Sequence, residues 1–168
     1  MRSIELTFDD DTDARIRSDW ARLAGADVPS LAAHTAPSNR PHITLAAGAG
    51  LQLSGDNQEF LQMLPVPVEF SGVLVFPGGP GKYVLSRSIV LTRQLLELHR
   101  LVHKAAAGAV PLTRPDAWTP HVTLARRVPH HLLGRAAELL DLRLEGECTN
   151  ARLWDSGTKT VTSLGSHP

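Results

Sequence analysis

From Ser3 to Phe8 polar and apolar side chains alternate with period two, which predicts a half-buried strand. The run Asp9-Asp10-Asp11-Thr12-Asp13 follows. Carboxylates suit the positive end of a helix, and Ile16, Trp20, Leu23 and Ala24 then recur at helical spacing as far as Gly25. The acidic run therefore reads as a helix start rather than a metal site. Residues 25–40, with Pro29 and Pro37 among small side chains, read as a connection, and a strand opens at Pro41.

Residues 57–64 predict a short helix ended by Pro65, and Val66 to Phe76 one or two strands. Pro77 to Gly81 is a turn, and Lys82 to Leu91 reads as the returning strand of a hairpin. The strongest helical pattern runs from the cap Thr92 to Gly108, with Leu95, Leu98, Leu101, Val102 and Ala105 on one face. A connection over 111–117 leads to a strand from Trp118 to Arg126, a helix from Pro129 to about Leu142, and two strands over 144–164 around Gly157. Hairpin-linked strands with interspersed helices predict an α+β fold with antiparallel sheets, not a doubly wound parallel one.

At 168 residues the chain is sized for one domain, or two small lobes sharing a core, and buries roughly two thirds of its unfolded surface without disulfide or metal. Its single cysteine, Cys148, excludes a disulfide scaffold and favours a reducing compartment. No stretch approaches the ~18 apolar residues of a membrane span, and the N-terminus turns acidic before a signal sequence could form, so the expected location is cytoplasmic. Equal counts of 17 basic and 17 acidic residues hide an asymmetry, with 6 basic against 10 acidic in residues 1–84 and 11 against 7 in residues 85–168.

One repeat carries the chemistry. Pro41-His42-Ile43-Thr44-Leu45-Ala46 returns 79 residues later as Pro120-His121-Val122-Thr123-Leu124-Ala125, identical at five of six positions. In a strand, residues i and i+2 share a face, so each unit presents an imidazole beside a hydroxyl and turns Ile43 or Val122 into a core. Two such units facing one another suit transfer at a phosphodiester. One neutral imidazole takes a proton from the attacking oxygen, one imidazolium protonates the leaving oxygen, and hydroxyls hold the non-bridging oxygens. With ordinary pKa values near 6.5, two histidines can share one proton at neutral pH without metal help.

Paired His-x-Thr units within Pro-His-[Ile/Val]-Thr-Leu strands resemble the 2H phosphoesterase superfamily, and within it the bacterial 2′-5′ RNA ligase / RNA 2′,3′-cyclic phosphodiesterase family. The resemblance implies a single bilobal domain over residues 1–168, with two small antiparallel sheets lining a central cleft and helices outside. His42 and Thr44 would come from one lobe and His121 and Thr123 from the other. Arg126 falls where the family often keeps a basic residue for phosphate. Trp118 matches an apolar or aromatic position before the second unit, which leaves it either to stack on a base or to belong to the core. Ala46-Ala47-Gly48 offers no charge after the first unit, so the first lobe is expected to bind substrate less strongly than the second.

The activity so implied is metal-independent hydrolysis of 2′,3′-cyclic phosphates on RNA 3′ ends or small cyclic nucleotides, to 2′-phosphates. His121 would activate water and His42 protonate the departing ribose oxygen. No Lys-x-Asp-Gly run supplies a nucleotidyl-lysine nucleophile, so any 2′-5′ ligation would reverse cyclic-phosphate opening without ATP. No cofactor and no membrane partner are expected, and a monomer is the default. The alternative is a non-catalytic module that holds a nucleotide or RNA end in the same cleft. His99 and His103 stand four apart on a helix, a metal-compatible spacing, but no Glu follows His99. Pro77 to Lys82 lacks the hydroxyl residue of a phosphate loop, since Tyr83 stands there.

Overall fold

The computed structural model describes residues 1–54, 58–141 and 143–166. Strand β1 (Arg2–Phe8) leads to helix α1 (Asp10–Gly25), then β2 (His42–Gly48), the short β3 (Gln52–Leu53), α2 (Gln58–Leu61), and the hairpin of β4 (Val66–Pro77) and β5 (Lys82–Ile89). Helix α3 (Arg93–Ala105) is followed by the short β6 (Ala106–Ala107), β7 (His121–Pro129), α4 (Leu133–Glu138), β8 (Leu144–Asp155) and β9 (Thr160–Ser166).

Every strand pairing is antiparallel. The hydrogen-bonded order is β2-β1-β8-β4-β5-β7, with β9 also on β8 and a separate β3-β6 pair. This is the expected α+β class, and β8 joins the two halves of one seven-stranded sheet. The first part of that strand, Leu144 to Cys148, pairs with β4, while the remainder, to Asp155, lies between β1 and β9. The two strands at the ends of the order, β2 and β7, come against one another. They are the strands that open with His42 and His121.

The acidic run is a helix start. Asp9 caps α1, accepting from the Thr12 amide at 3.0 Å and the Thr12 hydroxyl at 2.6 Å. Partial burial works against the Asp9 carboxylate, but the bonds from Thr12 and Glu147 outweigh it and hold its pKa below the ordinary value. Ile16, Trp20 and Leu23 of α1 join Ile4, Leu6 and Phe8 of β1, Leu95, Leu98 and Val102 of α3, and Val122 and Leu124 of β7 in one buried apolar cluster.

Strand β2 opens at His42 rather than Pro41 and β5 ends at Ile89 rather than Leu91, and four larger differences from the sequence reading follow. Strand β7 starts at His121 rather than Trp118 and runs on through Pro129, because Trp118 turns away to bond β2. The helix expected over 129–142 is only a 3₁₀ turn at His130–Leu132 and the six residues of α4, since Pro129 stays in the strand and no side chain caps Leu133; Leu142 lies outside the described residues. The α3 helix ends at Ala105, as Ala106 and Ala107 pair with β3 instead. That exit needs glycine: Gly108 has φ +79°, and a Cβ on Gly48 would stand 2.1 Å from its carbonyl oxygen. Helix α2 is shorter than expected, and residue 57, where its pattern began, lies outside the described residues.

Candidate active site

The two repeat units have the same pattern of exposure. Pro41 and Pro120, Ile43 and Val122, Leu45 and Leu124, and Ala46 and Ala125 are buried, while His42, Thr44, His121 and Thr123 are half-buried on the other face. Strand periodicity accounts for this sorting as far as Leu45 and Leu124, and a register shift precedes the buried Ala46 and Ala125. Nδ1 of His42 donates to the Arg40 carbonyl at 2.7 Å, and Nδ1 of His121 donates to the Thr119 carbonyl at the same distance. A residue before proline is confined to extended backbone, so Pro41 and Pro120 hold those two carbonyls in place. A carbonyl only accepts, so each Nδ1 keeps its proton and each Nε2 is the nitrogen free to take or give one.

The surroundings of the two imidazoles are unlike. Oε1 of Glu5, on β1, stands 3.7 Å from Nε2 of His42. Glu5 is buried, accepts from the Ser3 hydroxyl at 2.6 Å and from Arg152 Nε at 2.8 Å, and so presents a fixed carboxylate. His121 has the Phe76 ring beside it, centroids 4.8 Å apart. Burial pulls the His121 pKa below 6.5; the bond to Thr119 resists, and the positive charges of His42 and Arg126 pull it further down. Strands β2 and β7, which open with His42 and His121, come against one another and bring the two units together.

Arg126 is exposed on β7 where the register with β5 shifts, and its neighbour Arg127 has φ +59°. Arg126, five residues after His121, is one of the charges that lower that histidine's pKa. The matching position after His42 is Ala47, which carries no charge.

Trp118 is half-buried. One face of its ring is stacked on His99, centroids 3.8 Å apart and planes 4° from parallel, and its Nε1 donates to the Thr44 carbonyl at 2.9 Å. Trp20, on α1, donates from Nε1 to the Thr123 carbonyl at 3.3 Å. The two indoles thus cross: the one preceding β2 in the chain supports β7, and the one preceding β7 supports β2. His99 and His103 both direct Nε2 to the Leu45 carbonyl, at 2.9 and 3.1 Å, so this helical pair braces the first motif strand.

Glu5, Arg152 and Trp20 are absent from the sequence reading of the site. Glu5 and Arg152 belong to strands whose polar positions look solvent-facing in the sequence, and only their mutual pairing across 147 residues reveals otherwise. Among the described residues no group of three or more His, Cys, Asp and Glu side chains converges in a way that could hold a metal ion, and no helix is long and apolar enough to cross a membrane.

An antiparallel α+β fold whose sheet brings together two His-x-Thr edge strands is the 2H phosphoesterase arrangement. The model of the 2′-5′ RNA ligase superfamily matches residues 11–160, and the chain belongs to that superfamily. LigT of E. coli in its apo form is similar over 99% of this chain and 95% of its own, with 14% identity and a TM-score of 0.53. A structure described as a phosphoesterase aligns over 99% of this chain and 95% of its own, at 16% identity and a TM-score of 0.52. At these identities the likeness is one of fold. No curated protein sequence matches the chain.

Proposed function

We propose that this protein is a metal-independent phosphodiesterase that opens 2′,3′-cyclic phosphates at RNA 3′ ends or on nucleotides to give 2′-phosphates. The observation that carries the reading is the pair of imidazoles with identical Nδ1 anchors and unequal neighbours, a carboxylate at His42 and burial with Arg126 at His121. Nε2 of His121, less inclined to hold a proton, takes one from water as its oxygen attacks phosphorus. Nε2 of His42, which faces the Glu5 carboxylate, gives its proton to O3′ as the P–O3′ bond breaks. The proton taken from water remains on His121 and the one given by His42 completes the 3′-hydroxyl, so the pair must exchange a proton with solvent before the next turnover.

Thr44 and Thr123 donate to the non-bridging oxygens, and Arg126 offsets the charge that grows on them. Trp118 is assigned to positioning, because its indole N–H and one ring face are already engaged by Thr44 and His99. With a ribose 5′-hydroxyl in place of water, the same steps leave a 2′-5′ linkage and need no ATP. One bilobal domain, monomeric and cytoplasmic, suffices for this chemistry.

The test is turnover of a 2′,3′-cyclic-phosphate-ended oligonucleotide and of a 2′,3′-cyclic mononucleotide in excess EDTA by wild type, His42→Ala and His121→Ala, with 2′- and 3′-phosphate products separated. Each variant should lose about 10²- to 10⁴-fold in rate. Full activity in both variants would refute the mechanism, and loss of wild-type activity in EDTA would refute metal independence. Tight binding without turnover by wild type would select the non-catalytic module instead.

A further inference from the structure

A cavity of about 230 Å³ lies between α1, β5 and the segment that leads into β8. It is on the side of the sheet turned away from the histidines. Arg87 on β5 is the register partner of Val122, and partners across a ladder share a face, so its side chain points with the buried Val122 and away from His121 and Thr123. Arg15, Ser18, Asp19 and Arg22 recur at helical spacing along one stripe of α1, beside the stripe of Ile16, Trp20 and Leu23 that enters the core. Asp141 and Arg143 close the third side.

We infer that this cavity is a second ligand site, which binds a phosphate group as its dianion, either inorganic phosphate or a phosphomonoester. None of the residues that line it takes part in the proposed reaction, so the two readings stand or fall separately.

Four guanidinium groups face two carboxylates in the cavity. Asp19, 1% exposed, uses one oxygen for Arg22 and the other for Arg87. Asp141 is largely exposed and stands 3.8 Å from Arg22, so solvent screens most of its charge. Arg15 has a screened surface partner in Asp11 at 3.6 Å, and Arg143 has no ion-pair partner among the described residues. The cavity therefore keeps a surplus of two positive charges, which matches the roughly −1.5 to −2 of a phosphomonoester near pH 7 better than the single charge of a diester.

The floor is built in advance. Arg87 is 2% exposed and donates from Nε to Asp19 and from Nη1 to the Asp141 carbonyl, both at 2.5 Å, so its guanidinium is fixed. Its Nη2 has no hydrogen-bond partner among the described residues, and a fixed arginine fork suits phosphate oxygens. The volume is several times the ~30 Å³ share of a water and short of the ~300 Å³ at which pockets for whole drug-sized ligands begin. It admits a phosphate head without the base and ribose of a nucleotide.

The experiment titrates inorganic phosphate, by calorimetry, into protein carrying His42→Ala and Arg126→Gln, which removes phosphate contacts in the catalytic cleft. The same titration is made with Arg15→Gln or Arg143→Gln added. Both arginines are exposed and lie outside the Asp19 pairing, so without phosphate these variants should melt within about 2 °C of their parent. The parent should bind one phosphate with a Kd of about 1 mM or tighter, and each added variant should bind it at least about fivefold more weakly. Sodium chloride at matching ionic strength should give no such binding. No binding by the parent, or unchanged affinity in both arginine variants, would overturn the site.

A hexanucleotide without terminal phosphates, which offers internal diesters alone, separates the two sources of phosphate. Weaker binding than inorganic phosphate supports the dianion assignment. Tighter binding that depends on Arg15 and Arg143 would overturn it and give the cavity to a nucleic-acid backbone.

Discussion

Glu5 Oε1 lies 3.7 Å from Nε2 of His42, with Ser3 and Arg152 holding the carboxylate in place. No acidic side chain within salt-bridge distance faces His121 among the described residues, and the carboxylate is what breaks the near-symmetry of the two repeat units.

Glu5→Gln keeps the shape of that side chain and removes its charge. Without the carboxylate that faces Nε2 of His42, kcat/KM should fall about 10- to 100-fold. The variant should also unfold more readily, by about 3 kcal/mol, because Arg152 is left buried without its carboxylate. A folded variant with unchanged kcat/KM would remove Glu5 from the mechanism.

The acid limb reports His121, whose pKa is pulled below 6.5 by burial and, in addition, by the charges of His42 and Arg126. That limb should therefore lie below pH 6.5. Arg126→Gln takes away one of the opposing charges, so the limb should rise toward 6.5 while the rate falls about 10- to 100-fold. Arg126→Lys, which keeps the charge, should leave the limb where it is. Profiles of the three proteins separate a charge effect from a loss of forked contact to phosphate.

Trp118→Phe preserves an aromatic face and deletes the N–H that the Thr44 carbonyl accepts. Leaving that carbonyl without its donor should cost about 1–2 kcal/mol of stability and lower kcat severalfold with KM little changed. A large rise in KM with an unaltered kcat would instead mark Trp118 as a stacking platform for substrate. Trp20→Phe should behave in the same way on the other unit, since it supports Thr123.

Acid stability should be set in part by His99. Burial, and next the charge of His103, lower its pKa to about 4, against the opposing bonds toward the Leu45 and Thr113 carbonyls. Its Nδ1 is buried without a well-formed hydrogen bond. The folded state resists protonation there, so below pH 6.5 the unfolded chain binds more protons. The His99 contribution is whole above about pH 6.5 and shrinks as pH falls toward 4, a loss of about 2–3 kcal/mol. Urea melts of wild type and His99→Phe between pH 7 and pH 4 should show this slope in the first and a shallower one in the second.

Much of the site is local and could be read without the structure. Each Pro-His-x-Thr-Leu unit places its own imidazole and hydroxyl on one face, because strand geometry needs only neighbours in sequence. The helices beginning at Asp10 and Arg93 could likewise be read, since caps and apolar periodicity lie within each segment. The helix expected from Pro129 could not, because its length depended on whether Pro129 joined β7. The polar face of β1 was the larger difference. Alternation marks Ser3, Glu5 and Thr7 as polar, and polar usually means solvated, yet these residues are 8%, 3% and 4% exposed.

By itself, then, the sequence determined the antiparallel α+β class, the two repeat units, and the faces on which His42, Thr44, His121 and Thr123 lie, because period-two and 3.6-residue patterns are properties of short segments. Only the tertiary structure decided that β2 and β7 close on one another, that Trp20 and Trp118 cross to brace them, and that Glu5 sits by His42. Those relationships join residues far apart in the chain, as in the pairing of Glu5 with Arg152, and they arise where β8 is shared by the two halves of the sheet. A buried charge is tolerated only where the fold delivers its partner, and no local pattern records that partner.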